Sequence, residues 1–199
     1  VLAMKSMVIS RTRSDTDSIM SVAGMANVQA ATSDIESEYE GMIAITHPHI
    51  VQHFFSRSRK VPLEDGGTSN VVDLYLEYCE DGTLRQKMDV GRLTGEELYD
   101  VTVGLLKALR HLHQKRICHR DIKLQNILRE NTLHNAQIKL CDFGLGTRFI
   151  GALPLKTHCG TLYSTAPEVI RESYDQRCDI WSCGVVAFTL LCGRKPFEA

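Results

Sequence analysis

The sequence predicts an α+β fold in two lobes, a small β-rich one followed by a mainly helical one. Three observations carry this prediction: residues 1–78 hold three stretches of strand composition and one helical stretch, residues 79–199 hold two strongly helical patterns with only short strands, and polar loops fall where the two characters meet. The chain has 199 residues, 43% hydrophobic and 24% charged, which is enough to bury a core in one domain or two small lobes.

Taken in order, Val1 to Ile9 is apolar with a central lysine and reads as a strand. Ser10 to Ser33 is rich in Ser, Thr, Asp, Ala and Met without periodicity and reads as a mobile insertion. Asp34 to Thr46 reads as a helix stopped by His47-Pro48, because a residue before proline is pushed out of the helical region. Ile50 to Phe55 and Val71 to Glu77 have strand composition, with SRSRKVPLEDGGTSN expected as a polar loop between them. After Asp81-Gly82, residues Leu98, Val101, Leu105, Leu106, Leu109 and Leu112 recur at helical spacing and predict a long amphipathic helix ending near Gln114. Short strands are expected at Asn126 to Arg129 and Gln137 to Cys141, then irregular chain to Pro167, then a very apolar helix over Asp179 to Leu191.

The bulk numbers exclude several classes. A net charge of -1 gives no electrostatic case for nucleic acid or an anionic membrane surface as main partner. The longest apolar run, Gly184 to Cys192, is too short to span a bilayer, and VLAMKSMVI lacks the organisation of a signal peptide. Seven scattered cysteines without a C-x-x-C pair predict free thiols in a reducing, cytoplasmic setting and no zinc site.

One loop stands out chemically. HRDIKLQN, His119 to Asn126, packs a histidine, two cations and an acid into five residues, with an amide five residues past the acid. Asp142 opens CDFG directly after a short strand. Two carboxylates and an amide oxygen are hard ligands or proton acceptors suited to Mg²⁺ and phosphate, and Lys5 and Lys123 supply the opposite charge. Gly144, Gly146 and Gly151 lack the G-x-G-x-x-G spacing and follow the D-F-G strand, so they are not a phosphate-binding glycine loop.

VLAMK, a glutamate before HPHIV, LYLEYC, HRDIKLQN, CDFG, TAPE and CDIWSCG occur in the order found in eukaryotic protein kinases, so the chain resembles that family over nearly its whole length. The resemblance implies a two-lobed protein-kinase-like fold that uses ATP and Mg²⁺ to phosphorylate serine or threonine in protein substrates. Carried over by position, it makes Lys5 the lysine on the α- and β-phosphates and Glu38, nine residues before His47, its ion-pair partner. Leu76 to Cys79 resembles the hinge, with the backbone of Glu77 and Cys79 toward the adenine edge and Ala3 and Leu128 as apolar roof and floor. Asp121 would accept or orient the substrate hydroxyl proton, Lys123 would sit by the transferred phosphate, and Asn126 and Asp142 would hold Mg²⁺. Lys123, with Gly160-Thr161 before A-P-E, resembles the serine/threonine-directed kinases, and Thr161 would brace Asp121 and Lys123. A phosphate on Thr157 could pair with Arg120 and order the segment between them. Asp179 would cap its helix and tie the catalytic loop to it.

SYDQRCDIWSCGVVAFTLLCG resembles calcium- and calmodulin-regulated kinases and their plant and protist calcium-dependent relatives, so a calcium sensor or calmodulin is an expected regulator outside these residues. EYCEDGTL also resembles a mitotic, NIMA-like kinase. The family's glycine-rich strands would precede Lys5 and its last helices would follow PFEA, so the expectation is a kinase domain truncated at both ends: residues 1–78 a partial N-lobe, 79–199 a partial C-lobe. The connection from Lys5 to Glu38 is longer than usual by about a dozen residues, which loop-closure entropy tolerates. Leu124, Gln125 and Leu162 replace the commoner proline, glutamate and proline, and none of these changes removes a reacting group. The alternative function is a pseudokinase-like scaffold that binds without turnover.

Overall fold

The computed structural model describes residues 2–12, 45–64, 66–131, 137–151 and 153–197. Glu38, most of the expected insertion and the body of the expected helix over 34–46 lie outside these residues. Two compact units are present: Val1–Ile45 with Gln52–Tyr78, and Thr46–Val51 with Cys79–Ala199. Thr46–Val51 groups with the second unit because Ile50 bridges Leu140 and the His49 ring is hydrogen-bonded to the Ile138 carbonyl at 3.1 Å.

The first unit is an antiparallel sheet of β1 (Leu2–Thr12), β2 (His53–Pro62) and β3 (Thr68–Glu77) in the order β1-β3-β2. Three expectations are corrected here. β1 runs on through Ser10 to Thr12, Ile45 and Thr46 are not helical, and the second strand starts at His53, not Ile50. Most of SRSRKVPLEDGGTSN is strand, closed by a turn in which Leu63 N–H donates to Gly67 O and Gly66 N–H to Leu63 O. The run looks like a loop because it is charged, yet β2 is an edge strand that is exposed along most of its length, where charge is tolerated and discourages unwanted pairing. On one face Arg57 lies opposite Asp73, and buried Asp73 accepts hydrogen bonds from Arg59 Nε at 2.6 Å and Ser6 Oγ at 2.5 Å. These bonds hold the Asp73 carboxyl below the usual carboxylate range.

The second unit is built around two helices. α1 (Leu84–Val90) and α2 (Gly95–Gln114) each begin with a threonine capping box, Thr83 with Gln86 and Thr94 with Glu97. α2 buries Val101, Leu105, Ala108, Leu109 and Leu112 along one stripe and packs on the last helix; of the residues its periodicity placed there, Leu98 is half-buried and Leu106 faces outward. Two short two-stranded antiparallel sheets follow: β4 (Ile117–Cys118) pairs with β7 (Thr147–Arg148), and β5 (Ile127–Arg129) with β6 (Ile138–Leu140) as a hairpin. The expected irregular chain before Pro167 thus contains β7 and a 3₁₀ turn over Leu162–Ser164. A short α3 (Pro167–Ile170) precedes α4 (Cys178–Cys192), closed by Gly193 in the left-handed conformation. Among the described residues, no helix is long and apolar enough to cross a membrane.

Candidate active site

The polar loop after β4 is held from below by one buried carboxylate. Asp179 is 1% exposed and accepts from the His119 backbone N–H at 2.9 Å, the Arg120 N–H at 2.8 Å and His113 Nε2 at 2.8 Å. The expectation that Asp179 caps its helix is corrected: the N-cap is Arg177, without a side-chain cap bond, and Asp179 in the first turn spends its oxygens on the loop. Its anchoring keeps Arg120 at φ 67, a backbone region that costs a non-glycine residue ~1–3 kcal/mol and persists only when the surroundings enforce it.

His119 is fully buried, and its partners define its charge. Nε2 faces the Cys141 carbonyl at 3.1 Å, which can only accept, and Nδ1 faces the Asp121 N–H at 3.3 Å, which can only donate. The ring is therefore the neutral Nε2–H tautomer, and burial holds its pKa below the ordinary histidine range. It links the loop to CDFG, as does the Cys141 N–H bond to Asn126 O at 2.9 Å. Because Ile127 pairs with Leu140, Asn126 and Asp142 fall together at one end of the β5–β6 hairpin.

Above this floor, the structure brings Asp121, Lys123, Asn126 and Thr161 together. Asp121 Oδ1 accepts from Thr161 Oγ1 at 2.8 Å, and Oδ2 accepts from Lys123 Nζ at 2.7 Å and Asn126 Nδ2 at 3.1 Å. Lys123 Nζ also donates to Thr161 Oγ1 at 2.9 Å, closing a triangle. Asn126 Nδ2 further donates to the Asp121 carbonyl at 2.8 Å, so the amide nitrogen faces two oxygens and Oδ1 is the end left for a cation. Asp142 is half-buried at φ 66, and its Oδ1 accepts from Gly144 N–H at 3.3 Å. An amide oxygen and a carboxylate at one hairpin end form a hard donor pair that fits Mg²⁺.

Thr161 reaches Asp121 because Gly160 turns the chain at φ 95, where an added Cβ would lie 2.6 Å from the Arg120 carbonyl. Gly160→Ala is expected to displace Thr161 and destabilise the protein by roughly 1–3 kcal/mol, the range for strained backbone. Urea unfolding of the variant beside wild type measures this; an unchanged midpoint would contradict it.

The remaining predicted residues divide between the units. Lys5, half-buried, lies opposite Leu74, and Ala3 opposite Leu76, both in the sheet of the first unit. Glu77 N–H donates to the Gln52 carbonyl at 2.8 Å, and Gln52 N–H donates to Glu77 Oε2 at 3.1 Å. In the second unit Cys79 is buried and Leu128 pairs with Lys139. Arg120 and exposed Thr157 do not meet through their side chains; both meet the hydroxyl of Tyr174, a residue that sequence reading missed because a tyrosine in SYDQR carries no motif signal of its own. His113 was missed likewise, since a histidine near a helix end reads as surface.

Among the described residues, Cys118, Cys178 and Asp179 form a buried group with metal-ligand atoms close together. The Asp179 oxygens are already committed to three N–H donors, and the Cys118 and Cys178 sulfurs lie 3.5 Å apart, with hydrogen bonding and burial pushing the Cys118 thiol pKa strongly up. The seven cysteines are all free thiols.

A carboxylate bonded to a threonine hydroxyl, a lysine beside it and an amide and second carboxylate at one hairpin end are the residue types that phosphoryl transfer needs. The family model described as protein kinase domain matches residues 4–199, and the chain belongs to that family. It is 36% identical over 182 residues to serine/threonine-protein kinase 33 of Bos taurus, covering 85% of this chain and 35% of the relative. It is 40% identical over 126 residues to calcium-dependent protein kinase 5 of Plasmodium falciparum, covering 63% and 22% respectively. Calcium-dependent protein kinase 24 of Arabidopsis thaliana is 36% identical over 168 residues, covering 83% and 27%. The chain thus spans about a third or less of the length of these relatives.

Proposed function

We propose that the protein transfers the γ-phosphoryl group of ATP to serine or threonine hydroxyls of protein substrates. The observation that carries this is the Asp121 carboxylate, held at three points by Thr161, Lys123 and Asn126 within a kinase-family chain. Asp121 orients the substrate hydroxyl and receives its proton as the oxygen bonds to phosphorus and the bond to the ADP oxygen breaks. Lys123 stands by the transferred phosphoryl, and Thr161 fixes the spacing of Asp121 and Lys123. Asn126 and Asp142 hold Mg²⁺, which when bound offsets the negative charge of the phosphates. Sequence position within the family supports Lys5 as the lysine on the α- and β-phosphates, Glu38 as its ion-pair residue, and Ala3, Glu77, Cys79 and Leu128 as nucleotide contacts.

The likeness to calcium-dependent kinases supports regulation by a calcium sensor or calmodulin acting from outside these residues. Free thiols throughout support a cytoplasmic setting. The test is incubation of the full-length protein with γ-labelled Mg·ATP and a generic protein substrate. Label on phosphoserine or phosphothreonine is expected. ATP binding without transfer would replace this reading with that of a scaffold.

A further inference from the structure

Tyr174 gathers three groups from two stretches of chain at one oxygen. Its hydroxyl donates to the Thr157 carbonyl at 2.7 Å, accepts from Arg120 Nη1 at 3.3 Å and lies 3.8 Å from Cys159 Sγ. A phenol has one proton and two lone pairs. The carbonyl takes the proton, the guanidinium takes one lone pair and the thiol proton can take the other, so the hydroxyl is saturated. Arg120 in turn donates through Nε to the Leu145 carbonyl at 2.6 Å, joining the stretch after CDFG.

The backbone repeats the connection. Leu155 N–H donates to Tyr174 O at 2.7 Å and Tyr174 N–H to Leu155 O at 3.1 Å, a closed two-bond bridge. The ring itself is 3% exposed among Cys118, Ala166, Val169 and Cys178, with Phe149 and Leu155 at its margin. The aromatic body is anchored in the core under the catalytic loop, and the polar tip reaches the segment that carries Thr157.

Charge makes the hub informative. Among the described residues, the side-chain hydrogen bonds of Arg120 go to a carbonyl and a phenol, both neutral, and none goes to a carboxylate. Two of its N–H groups are thus engaged with no anion among these partners. We propose that Tyr174 is a positioning residue: its hydroxyl holds Arg120 and the 155–159 segment in place without a phosphate, so that alignment of Asp121 does not wait for modification of Thr157. This rests on the phosphoryl-transfer reading, since Arg120 directly precedes Asp121 and its N–H is anchored on Asp179 beside that of His119.

The test uses full-length protein shown by mass spectrometry to lack phosphate on residues 145–165. Tyr174→Phe keeps the buried ring and removes only the hydroxyl. Amide hydrogen exchange over 153–160 is expected to accelerate at least ten-fold, with exchange in α2 unchanged. kcat is expected to fall about ten-fold with the KM for ATP unchanged. In an Arg120→Met background, adding Tyr174→Phe should lower kcat less than two-fold, because the two changes remove one shared contact. Accelerated exchange in α2 as well would mark a general loss of structure and overturn a positioning role. Unchanged exchange over 153–160 would also overturn the proposal. Local acceleration in a protein that transfers no phosphoryl group would sustain the hub and reject the phosphoryl-transfer reading.

Discussion

Asp121→Asn in the full-length protein is expected to lower kcat by roughly 10²–10⁴-fold, the range for losing a positioned general base, with ATP affinity changed less than about three-fold. Asparagine has the same shape and keeps one oxygen, so Thr161 or Lys123 retains an acceptor and the loop is not forced to rebuild. What is lost is the ability to take a proton and the charge that holds Lys123 at 2.7 Å. The residue lies on the catalytic loop rather than among those assigned to the nucleotide, which is why binding and turnover separate. Single-turnover kinetics with equilibrium ATP binding checks this. A residual rate equal to wild type would remove Asp121 from the chemistry.

Asp179→Ala is expected to be the most damaging single change to stability. It strips the acceptor from His113 Nε2 and from the His119 and Arg120 amides, leaving buried donors that cost about 1–3 kcal/mol each when unsatisfied. Three such donors make a loss of at least roughly 3 kcal/mol the expectation. The urea midpoint of the variant should fall accordingly; a change below about 1 kcal/mol would contradict the anchoring role.

The same residues set the response to acid. Burial opposes ionisation of Asp179, yet the hydrogen bonds from His113 and the two amides prevail and hold its pKa below the ordinary value. Its contribution to stability is present above the unfolded carboxylate pKa of about 3.9 and is lost as pH falls through the folded one. His119 also has a depressed folded pKa, so its contribution is present above the unfolded value of about 6.5 and is lost as pH falls below it. Protonation would place an Nδ1–H against the Asp121 N–H. Wild type should therefore lose stability first below about pH 6.5 and again below about pH 4; the second loss should be smaller in Asp179→Ala, with Asp73 and the other depressed carboxylates still contributing to it.

Chain order made much of this readable before any fold was known. The stripe from Val101 to Leu112 specified α2 because helical periodicity is local, and the two short strands before CDFG were legible, whereas Thr147–Arg148 after it was not. The hairpin over His53–Glu77 was not, because its edge strand carries Arg57, Arg59 and Lys60, and a strand's tolerance of charge depends on whether it has a neighbour. That is a property of the sheet, not of the segment.

By itself, then, the sequence set out candidate residues and their order: Asp121, Lys123, Asn126 and Asp142 stand out by type and spacing, and Thr161 by the resemblance to serine/threonine-directed kinases. Only tertiary structure decided what those residues touch. Asp179 serves the catalytic loop instead of its helix, His119 is neutral because a carbonyl and an amide flank it, and Arg120 reaches Tyr174 instead of the Thr157 side chain. The physical reason is distance along the chain. Those partners lie 59 residues apart for Arg120 and Asp179 and 54 for Arg120 and Tyr174. Local periodicity carries no information about which donor will meet which acceptor across such a gap; packing alone brings them together.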